Sequence, residues 1–466
     1  MGLDRGSLSL AGLSLAGLLI VALVAACTTA IPAQRDWRQS QSVLTPIEKA
    51  QAGRSGHHVV GQGPSAPLAK SSSAPPRQGS AAPVVEIPAG ATAQASAAPA
   101  VDGQSVVEHW GAFFGGAAAE DDQQNSPVGV TVPGTVAQVG SSNSTEYALL
   151  TDGSLYAWGL GNEGQLGNGS TVSSLTTAVQ VRFPPGVRIA WIPADAMPYD
   201  TALAVDTTGR VWGWGNNFGG ELCLGNTMVY TTPVELPFVD VTALAGASNH
   251  VVYDADGTVY ACGQNVDGDL GDGSGLDSTT PKLVTGLDGS PVTTLVAAFA
   301  NTGALLADGE YFDWGYDADG QLGDGYTGRS SNVPVRVDLP HPVTQVAEGG
   351  SIWVNGQTLV MLSNGSLWAW GADFHGQLGN GTTGQQASPI RFYPPAGVTY
   401  KTLATGSATS YALSVTGQVY AWGVNFAGQV GDRTTRTAFT PVLVAAGATM
   451  ISSTANNVVI SGPGGT

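Results

Sequence analysis

Short apolar runs separated by polar two-residue breakers recur along most of the chain. Breakers such as Asp152-Gly153 and Asn364-Gly365 each stand between two apolar runs of about five residues. Asp-Gly and Asn-Gly favour a type I′ turn, whose twist matches that of the antiparallel strands on either side. The pattern therefore predicts a series of tight hairpins whose strands are rich in Tyr, Trp, Leu and Val.

Each hairpin belongs to a longer repeating unit. A segment of mostly small residues precedes it, as in Leu244–Gly246, and a Pro-led apolar run follows it, as in Pro334–Val337. Proline is tolerated at the first residue of a strand or on an edge strand, so the last run also qualifies as a strand. Four strands per unit, with small residues on the first and aromatic residues in the middle, predict the blade of a β-propeller.

The number of blades follows from a Trp-Gly pair that closes each hairpin and recurs every 48 to 56 residues. The marks are Trp110, Trp158, Trp214, Trp314, Trp370 and Trp422, with Cys262 in the place of one Trp. Val106–Gly111 has no hairpin partner before it, whereas Met450–Ser453 and Asn457–Ser461 resemble two strands without a third. The sequence thus predicts an all-β, seven-bladed β-propeller whose closing blade is shared between N- and C-terminal strands, which leaves no open edge. The alternative is an open β-solenoid of six units.

The N-terminal part of the chain differs in character from the repeats. Residues 1–27 carry Arg5 before an apolar core that ends in Val24-Ala25-Ala26-Cys27, the form of a secretory signal. The tetrapeptide resembles the bacterial lipobox, which implies lipidation of Cys27; an ordinary signal peptide is the alternative. Residues 28–104 are rich in Ala, Pro, Ser and Gly and predict a disordered tether. We therefore expect an exported, membrane-anchored bacterial lipoprotein, facing the cell surface or the periplasm, with residues 105–466 as the propeller.

Charge and motifs narrow the function of residues 105–466. This part holds 10 Lys and Arg but 30 Asp and Glu, the reverse of the basic footprint of nucleic-acid binders. No nucleophile elbow or ligand-spaced His pair is present, so we expect no catalytic residue, no metal and no cofactor, and interpret the protein as a non-enzyme. A disulfide between Cys223 and Cys262 is permitted in an exported protein. Because Cys262 replaces a repeat Trp, however, a packing role is the favoured interpretation.

One face of the propeller is the predicted binding face. In a meander, the connections from strand one to two and from strand three to four emerge on the same side. In two repeats the connection from strand one to strand two is longer, at residues 189–199 and 348–356. Insertions of this kind often form the binding face. The candidate residues are the aromatic and acidic side chains Trp191, Trp353, Phe218, Phe374, Phe426, Asp267 and Asp317. Aromatic anchors in a charged surround are typical of protein interfaces; ordinary packing is the alternative for the two Trp residues.

The repeat itself resembles a known family. Residues 152–169 combine Asp-Gly-Ser-Leu-Tyr-Ala-Trp-Gly with Gly-Gln-Leu-Gly-Asn-Gly and return almost unchanged at 364–381, which is similar to the regulator-of-chromosome-condensation repeat family. The resemblance covers residues 105–466 and implies a seven-bladed propeller. The family often has His at the start of the second strand, where only His250 is comparable here, with Tyr147 and Tyr411 near that place.

The resemblance leaves several functions open. The eukaryotic founders exchange nucleotide on a nuclear GTPase and bind chromatin, roles that conflict with an exported and acidic chain. Our hypothesis is a surface-anchored module that binds an envelope or extracellular protein, with a monomer as the working assumption. The alternatives are an envelope polysaccharide-binding or hydrolytic protein, and a guanine-nucleotide exchange factor-like regulator.

Overall fold

The computed structural model describes residues 104–112, 123–193, 197–198, 200–247, 249–287, 291–350, 356–454 and 456–462. Within these ranges the chain forms 28 β-strands. No helix in this part of the chain is long and apolar enough to cross a membrane. The predicted signal peptide with Cys27 lies outside the described residues, as does the predicted tether apart from Gln104.

The strands follow one another in groups. The chain begins with β1 (Ser105–Ala112) and β2 (Gln123–Val132). Blade 1 contains β3 (Val136–Ser141), β4 (Thr145–Leu150), β5 (Leu155–Gly159) and β6 (Ser174–Gln180). Blade 2 contains β7 (Ile189–Trp191), β8 (Thr201–Asp206), β9 (Arg210–Gly215) and β10 (Tyr230–Val239). Blade 3 contains β11 (Val241–Ala247), β12 (His250–Ala255), β13 (Thr258–Gly263) and β14 (Ser278–Leu283).

The remaining blades repeat this plan. Blade 4 contains β15 (Val292–Ala297), β16 (Asn301–Leu306), β17 (Tyr311–Gly315) and β18 (Ser331–Arg336). Blade 5 contains β19 (Val343–Gly349), β20 (Gln357–Leu362), β21 (Leu367–Gly371) and β22 (Gln386–Phe392). Blade 6 contains β23 (Tyr400–Thr405), β24 (Thr409–Ser414), β25 (Val419–Gly423) and β26 (Ala438–Ala445). The chain finishes with β27 (Met450–Thr454) and β28 (Asn457–Ser461).

Seven four-stranded antiparallel sheets result, and the seventh is built from both ends of the chain. In blades 1 to 6 the four strands pair in sequence order, whereas the order in blade 7 is β2-β1-β28-β27. Val107 pairs with Ser461 and Trp110 pairs with Val458. The predicted seven-bladed propeller and its shared closing blade are both confirmed.

The hydrophobic interior is divided among the joints between blades. The described residues form seven buried apolar clusters, each drawing its side chains from two neighbouring blades. At the joint of blades 4 and 5, for example, Tyr311 packs in one cluster with Val360 and Trp370. Successive side chains of a strand point to opposite faces of its sheet, so each middle strand supplies both of its neighbours. This explains why β4, β8 and β16 are buried along their whole length.

A repeated contact, which we name the Trp latch, joins five pairs of blades. The indole Nε1–H of five repeat Trp residues donates to the main-chain carbonyl of the second residue in the Gly-Gln-Leu-Gly segment, or its variant, of the preceding blade, at 2.8 to 3.0 Å. That residue is Gln in four blades and Asp269 in blade 3. The five Trp–Gly pairs are Trp110–Gly431, Trp214–Gly167, Trp314–Gly271, Trp370–Gly323 and Trp422–Gly379. A Cβ on any of these glycines would lie 2.5 to 2.8 Å from the indole nitrogen. The segment therefore needs Gly where the indole packs. The matching connection for Trp158, residues 113–122, lies outside the described residues.

The joint of blades 2 and 3 departs from this pattern and corrects the packing interpretation of Cys262. Cys223 occupies the latch Gly position and Cys262 the latch Trp position, and the two form a disulfide with a Cα–Cα distance of 5.7 Å. Both residues are buried in the cluster between these blades. The sequence-based interpretation considered only the Trp position, whereas Cys223 changes the other half of the same contact.

The residues at and near the family's His position also serve the joints. The Tyr147 and Tyr411 hydroxyls donate to the carbonyls of Gln165 and Gln429 in their own blades, at 2.9 and 2.6 Å. His250 Nε2 lies 3.0 Å from Thr302 Oγ1 in the next blade. All of these contacts are buried. The His250 contact links blades 3 and 4, whereas the two Tyr hydroxyls fix connections of their own blades and the Tyr rings pack in clusters shared with the next blade.

Candidate binding face

The connections from strand three to four form a face rich in exposed apolar side chains. They are described at residues 160–173, 216–229, 264–277, 316–330, 372–385 and 424–437. Large hydrophobic residues that are 45% to 73% exposed occur in all six, namely Val172, Phe218, Met228, Val266, Leu276, Tyr326, Phe374 and Phe426. Exposed apolar side chains gathered on one side of a protein make that side a candidate interaction site.

The local fold of the connections explains why side chains point outward there. In five of the six, a side-chain oxygen near the start accepts the backbone N–H five residues later, as Asn217 does from Leu222 at 2.9 Å and Asn425 from Val430 at 2.9 Å. The residue at that later position is fully buried. The tight loop therefore presents the residue after the Asn, such as Phe426, to solvent.

Phe218, Phe374 and Phe426 thus lie on the face that the sequence analysis nominated, each at least half exposed. The ring of His375, next to Phe374, meets the Phe426 ring edge-on with centroids 5.8 Å apart. Burial lowers the pKa of His375, which favours the neutral imidazole in this contact. An aromatic patch therefore continues from blade 5 to blade 6. That these three residues bind a partner stays a prediction.

Of the two acidic residues predicted for the binding face, Asp317 is buried and Asp267 is not. Asp317 is fully buried, and its two carboxylate oxygens accept the backbone N–H groups of Leu322 and Arg329 at 3.2 and 3.3 Å. Burial raises its pKa. Asp317 therefore organises its loop, as Asn does in other blades, and does not present its charge on the surface. Asp267, in the neighbouring connection, is half-buried.

The two nominated Trp residues have different outcomes. Trp191 lies in β7 and pairs with Val205, next to the turn between strands two and three and away from the binding face. It is half-buried and packs on the cluster between blades 2 and 3. The expectation that it belongs to a connection is wrong, because the first strand of blade 2 begins inside the predicted connection. Trp353 lies outside the described residues.

Sequence reasoning missed Val172, Met228 and Leu276. Each stands three residues after a glycine of the repeat, at Gly169, Gly225 and Gly273. Three apolar residues in one register of a polar connection were the signal that could have found them. They extend the exposed apolar surface across blades 1 to 3.

Two further carboxyl groups, outside these connections, are buried next to each other. Asp313 and Glu348 meet at the joint of blades 4 and 5, where the Tyr311 hydroxyl donates to Glu348. Burial raises the pKa of both carboxyls, which favours a shared proton. Neither residue lines the cavity of about 490 Å³ on blade 1, which is bordered by residues 152–155 and 180–188.

Metal ligation finds no support in the described ranges. Within them, no three His, Cys, Asp or Glu side chains are placed to hold a metal ion. The loop aspartates instead accept backbone N–H groups, as Asp272 Oδ1 does from Ser274 at 2.8 Å. Their arrangement is that of turn residues.

Seven four-stranded sheets, joined by Trp latches and completed by a shared closing blade, form a propeller of repeats. Comparison with known proteins gives its family. A model of the Regulator of chromosome condensation (RCC1) repeat matches residues 152–194, 256–303, 308–354, 364–413 and 416–459. The chain is an RCC1-repeat propeller.

Two relatives by sequence are eukaryotic proteins of different kinds. The Ultraviolet-B receptor UVR8 of Arabidopsis thaliana is 29% identical over 282 residues, which are 59% of this chain and 62% of UVR8. The human E3 ubiquitin-protein ligase HERC2 is 30% identical over 318 residues, 66% of this chain but 6% of HERC2. The chain thus matches less than two thirds of the length of either relative.

Solved structures support the same fold. The crystal structure of Prp20p from Saccharomyces cerevisiae, described together with its binding properties to Gsp1p and histones, superposes with a TM-score of 0.65 at 20% identity. The match covers 78% of this chain and 92% of that one. At this identity the likeness concerns the propeller fold.

Proposed function

We propose that this protein is an exported, membrane-tethered module that binds a protein partner through the face formed by its three-to-four connections. The observation that carries the proposal is the concentration of eight exposed large hydrophobic side chains on six successive blades. Apolar anchors at the centre of an interface supply much of its binding energy. The rigid ring behind them holds these anchors in place before the partner arrives, which reduces the entropy lost on binding.

Charge favours a partner of a particular kind. The chain has a formal net charge of −18, and several acids, including the exposed Asp277, lie in the same connections as the apolar residues. Complementary charge accelerates association and excludes partners of the same sign. We therefore expect a basic protein segment that carries aromatic or aliphatic side chains.

The family supports a protein partner only in general terms. Prp20p is described as binding Gsp1p and histones, and both are proteins. Ubiquitin ligation is named for the relative HERC2, and nucleotide exchange is implied only by the family resemblance; neither enters this proposal. The anchoring part of the proposal rests on the lipobox-like sequence ending at Cys27.

The binding face can be tested without knowledge of the natural partner. A random peptide library displayed on phage is selected against the full chain, and enriched peptides are expected to combine Lys or Arg with aromatic residues. The double variant Phe374→Ala/Phe426→Ala should weaken the best peptide by about tenfold or more. Tyr393→Ala is the matched control, because Tyr393 is 64% exposed but follows strand four, on the opposite face. Equal weakening by both variants would contradict the assignment of the face.

Anchoring needs a separate test. Growth with a labelled palmitate analogue should place label on the wild-type chain and none on Cys27→Ser. Label on both variants, or on neither, would remove the lipid anchor from the proposal and leave the binding face unaffected.

A further inference from the structure

The disulfide between blades 2 and 3 replaces both halves of a Trp latch at once. At the five latches, Gly has a φ between +61° and +81°. Cys223 keeps this backbone conformation, with a φ of 60°. The chain path through the joint is therefore unchanged, and only the side chains that connect the blades differ.

The two cysteines depend on each other sterically. With an indole in place, a Cβ at the Gly position would approach its nitrogen to within 2.8 Å or less, so Cys223 would clash with a Trp at position 262. With Gly at position 223 and Cys at position 262, nothing would fill the volume that the indole occupies at the other joints. The Cys pair resolves both problems, because its sulfurs fill the joint and join the blades covalently.

The disulfide also links two segments that contribute apolar side chains to the binding face. Cys223 belongs to the connection that exposes Phe218 and Met228. Cys262 stands near the end of β13, directly before the connection that exposes Val266 and Leu276. The bond thus fixes two adjacent connections with respect to each other.

We propose that the Cys223–Cys262 disulfide holds the blade 2 and blade 3 part of the binding face in its binding conformation, so that oxidation of this pair is required for full affinity. The inference rests on the proposed binding function. Reduction by a dithiol would transfer two electrons and two protons to the bond, giving two thiols and the cyclic disulfide of the reagent. The joint would then contain neither an indole nor a covalent link.

The repeat supplies its own control for this idea. Cys223→Gly/Cys262→Trp rebuilds the latch found at the other joints without sulfur, whereas Cys223→Ser/Cys262→Ser removes the link and adds no indole. If rigidity of the joint is what matters, the Gly/Trp variant should behave like the oxidised wild type and be insensitive to dithiothreitol. The Ser/Ser variant should behave like the reduced wild type.

Amide hydrogen exchange of the full chain measures the joint directly. In the oxidised protein the Cys223 N–H donates to Gly220 and the Gln264 N–H to Asn249, both at 2.9 Å. Exchange in residues 216–229 and 264–277 should be about tenfold faster in the Ser/Ser variant and in the reduced wild type. Residues 372–385 and 424–437 serve as the internal reference and should not change. Equal exchange in the Ser/Ser variant and the oxidised wild type would overturn the proposal.

Binding of the selected library peptide gives the second readout. The Ser/Ser variant should bind about tenfold more weakly, and the Gly/Trp variant should match the wild type. Faster exchange with unchanged peptide affinity would overturn the link between the disulfide and the face. If no peptide binds any variant, the proposed function fails, whereas the exchange experiment still decides whether the disulfide orders these connections.

Discussion

Single residues in the connections show how the repeat tolerates an acid where it normally has an amide. Gln165, Gln321, Gln377 and Gln429 accept the backbone N–H two residues earlier at 2.8 to 2.9 Å. Glu221 and Asp269 occupy the same register in blades 2 and 3 and are buried. Burial raises the pKa of Glu221 to about 7 and that of Asp269 well above its usual value. Below these raised pKa values, the neutral carboxyl takes the place of the amide.

Glu221→Gln should therefore stabilise the protein at alkaline pH. Ionising a fully buried carboxyl whose pKa is raised from 4.5 to about 7 costs roughly 3 kcal/mol. The amide avoids this cost, so the free energy of unfolding at pH 8 should rise by about that amount, measured by urea denaturation. The exposed Glu235→Gln is the control and should change stability by about 0.5 kcal/mol or less. A gain at pH 5 as large as at pH 8 would argue against ionisation as the cause.

The latch glycines provide a second test at single positions. Gly323 and Gly365 both have positive φ, +64° and +77°, so an Ala at either is strained in the backbone. Only at Gly323 would the new Cβ also meet the Trp370 indole, at 2.8 Å, because Gly365 has no atom within 4 Å. Thermal unfolding should show Gly323→Ala to be less stable than Gly365→Ala by about 1 to 3 kcal/mol. Equal losses would mean that the indole moves aside freely.

Among the strands, β1 and β28 determine whether the ring is closed. Their pairing places Val458 at 0% exposure in the cluster between blades 6 and 7. Val458→Ser should cost about 2 to 4 kcal/mol, because it removes apolar contacts and buries a hydroxyl. Val415→Ser, at a position 59% exposed, should be nearly neutral in the same chemical denaturation series. A small cost at Val458 would show that β28 frays from the ring in solution.

The strands, the number of blades and the closure could be predicted from sequence because their signals are local. Each Asp-Gly turn and each Trp-Gly pair indicates the structure of the few residues around it. The strands left over at the two ends of the chain can complete a blade in one way, by pairing with each other. The burial of Asp317 could not be predicted, because an Asp in a turn can accept backbone N–H groups or face water. The pairing of Cys223 with Cys262 depends on which connection packs against which strand, and that is a property of the assembled joint.

At the scale of the whole molecule, buried titratable groups make stability depend on pH. Burial raises the pKa of Glu221 and Asp373 to about 7 and that of Asp200 to about 6. A carboxyl with a raised folded pKa contributes stability below its unfolded pKa, and that stability is lost as pH rises through the folded value. His109 and His250 act in the opposite direction, because burial lowers their pKa to about 4, so they cost stability as pH falls below 6.5.

Above about pH 7 the two imidazoles are mostly neutral in both states, whereas the carboxyls with a pKa of about 7 still titrate in the folded protein. The melting temperature should therefore fall between about pH 7 and pH 8, and the net negative charge of the chain adds repulsion in the same direction. Calorimetry at constant ionic strength measures this. A melting temperature that rises over this interval would contradict the assignment of these carboxyls as protonated in the fold.

The position of β1 in the closing blade also has a mechanical consequence. Ser105 pairs with Val132 on one side, and Val107 pairs with Ser461 on the other, so β1 is an inner strand with a ladder along each edge. Because these hydrogen bonds run perpendicular to the strands, tension on the chain ahead of Ser105, directed along β1, loads both ladders in shear. Many bonds then resist together instead of separating one by one, as they do when a strand is peeled from an edge. The junction that seals the ring should therefore resist a pull on β1 better than a strand at a sheet edge would.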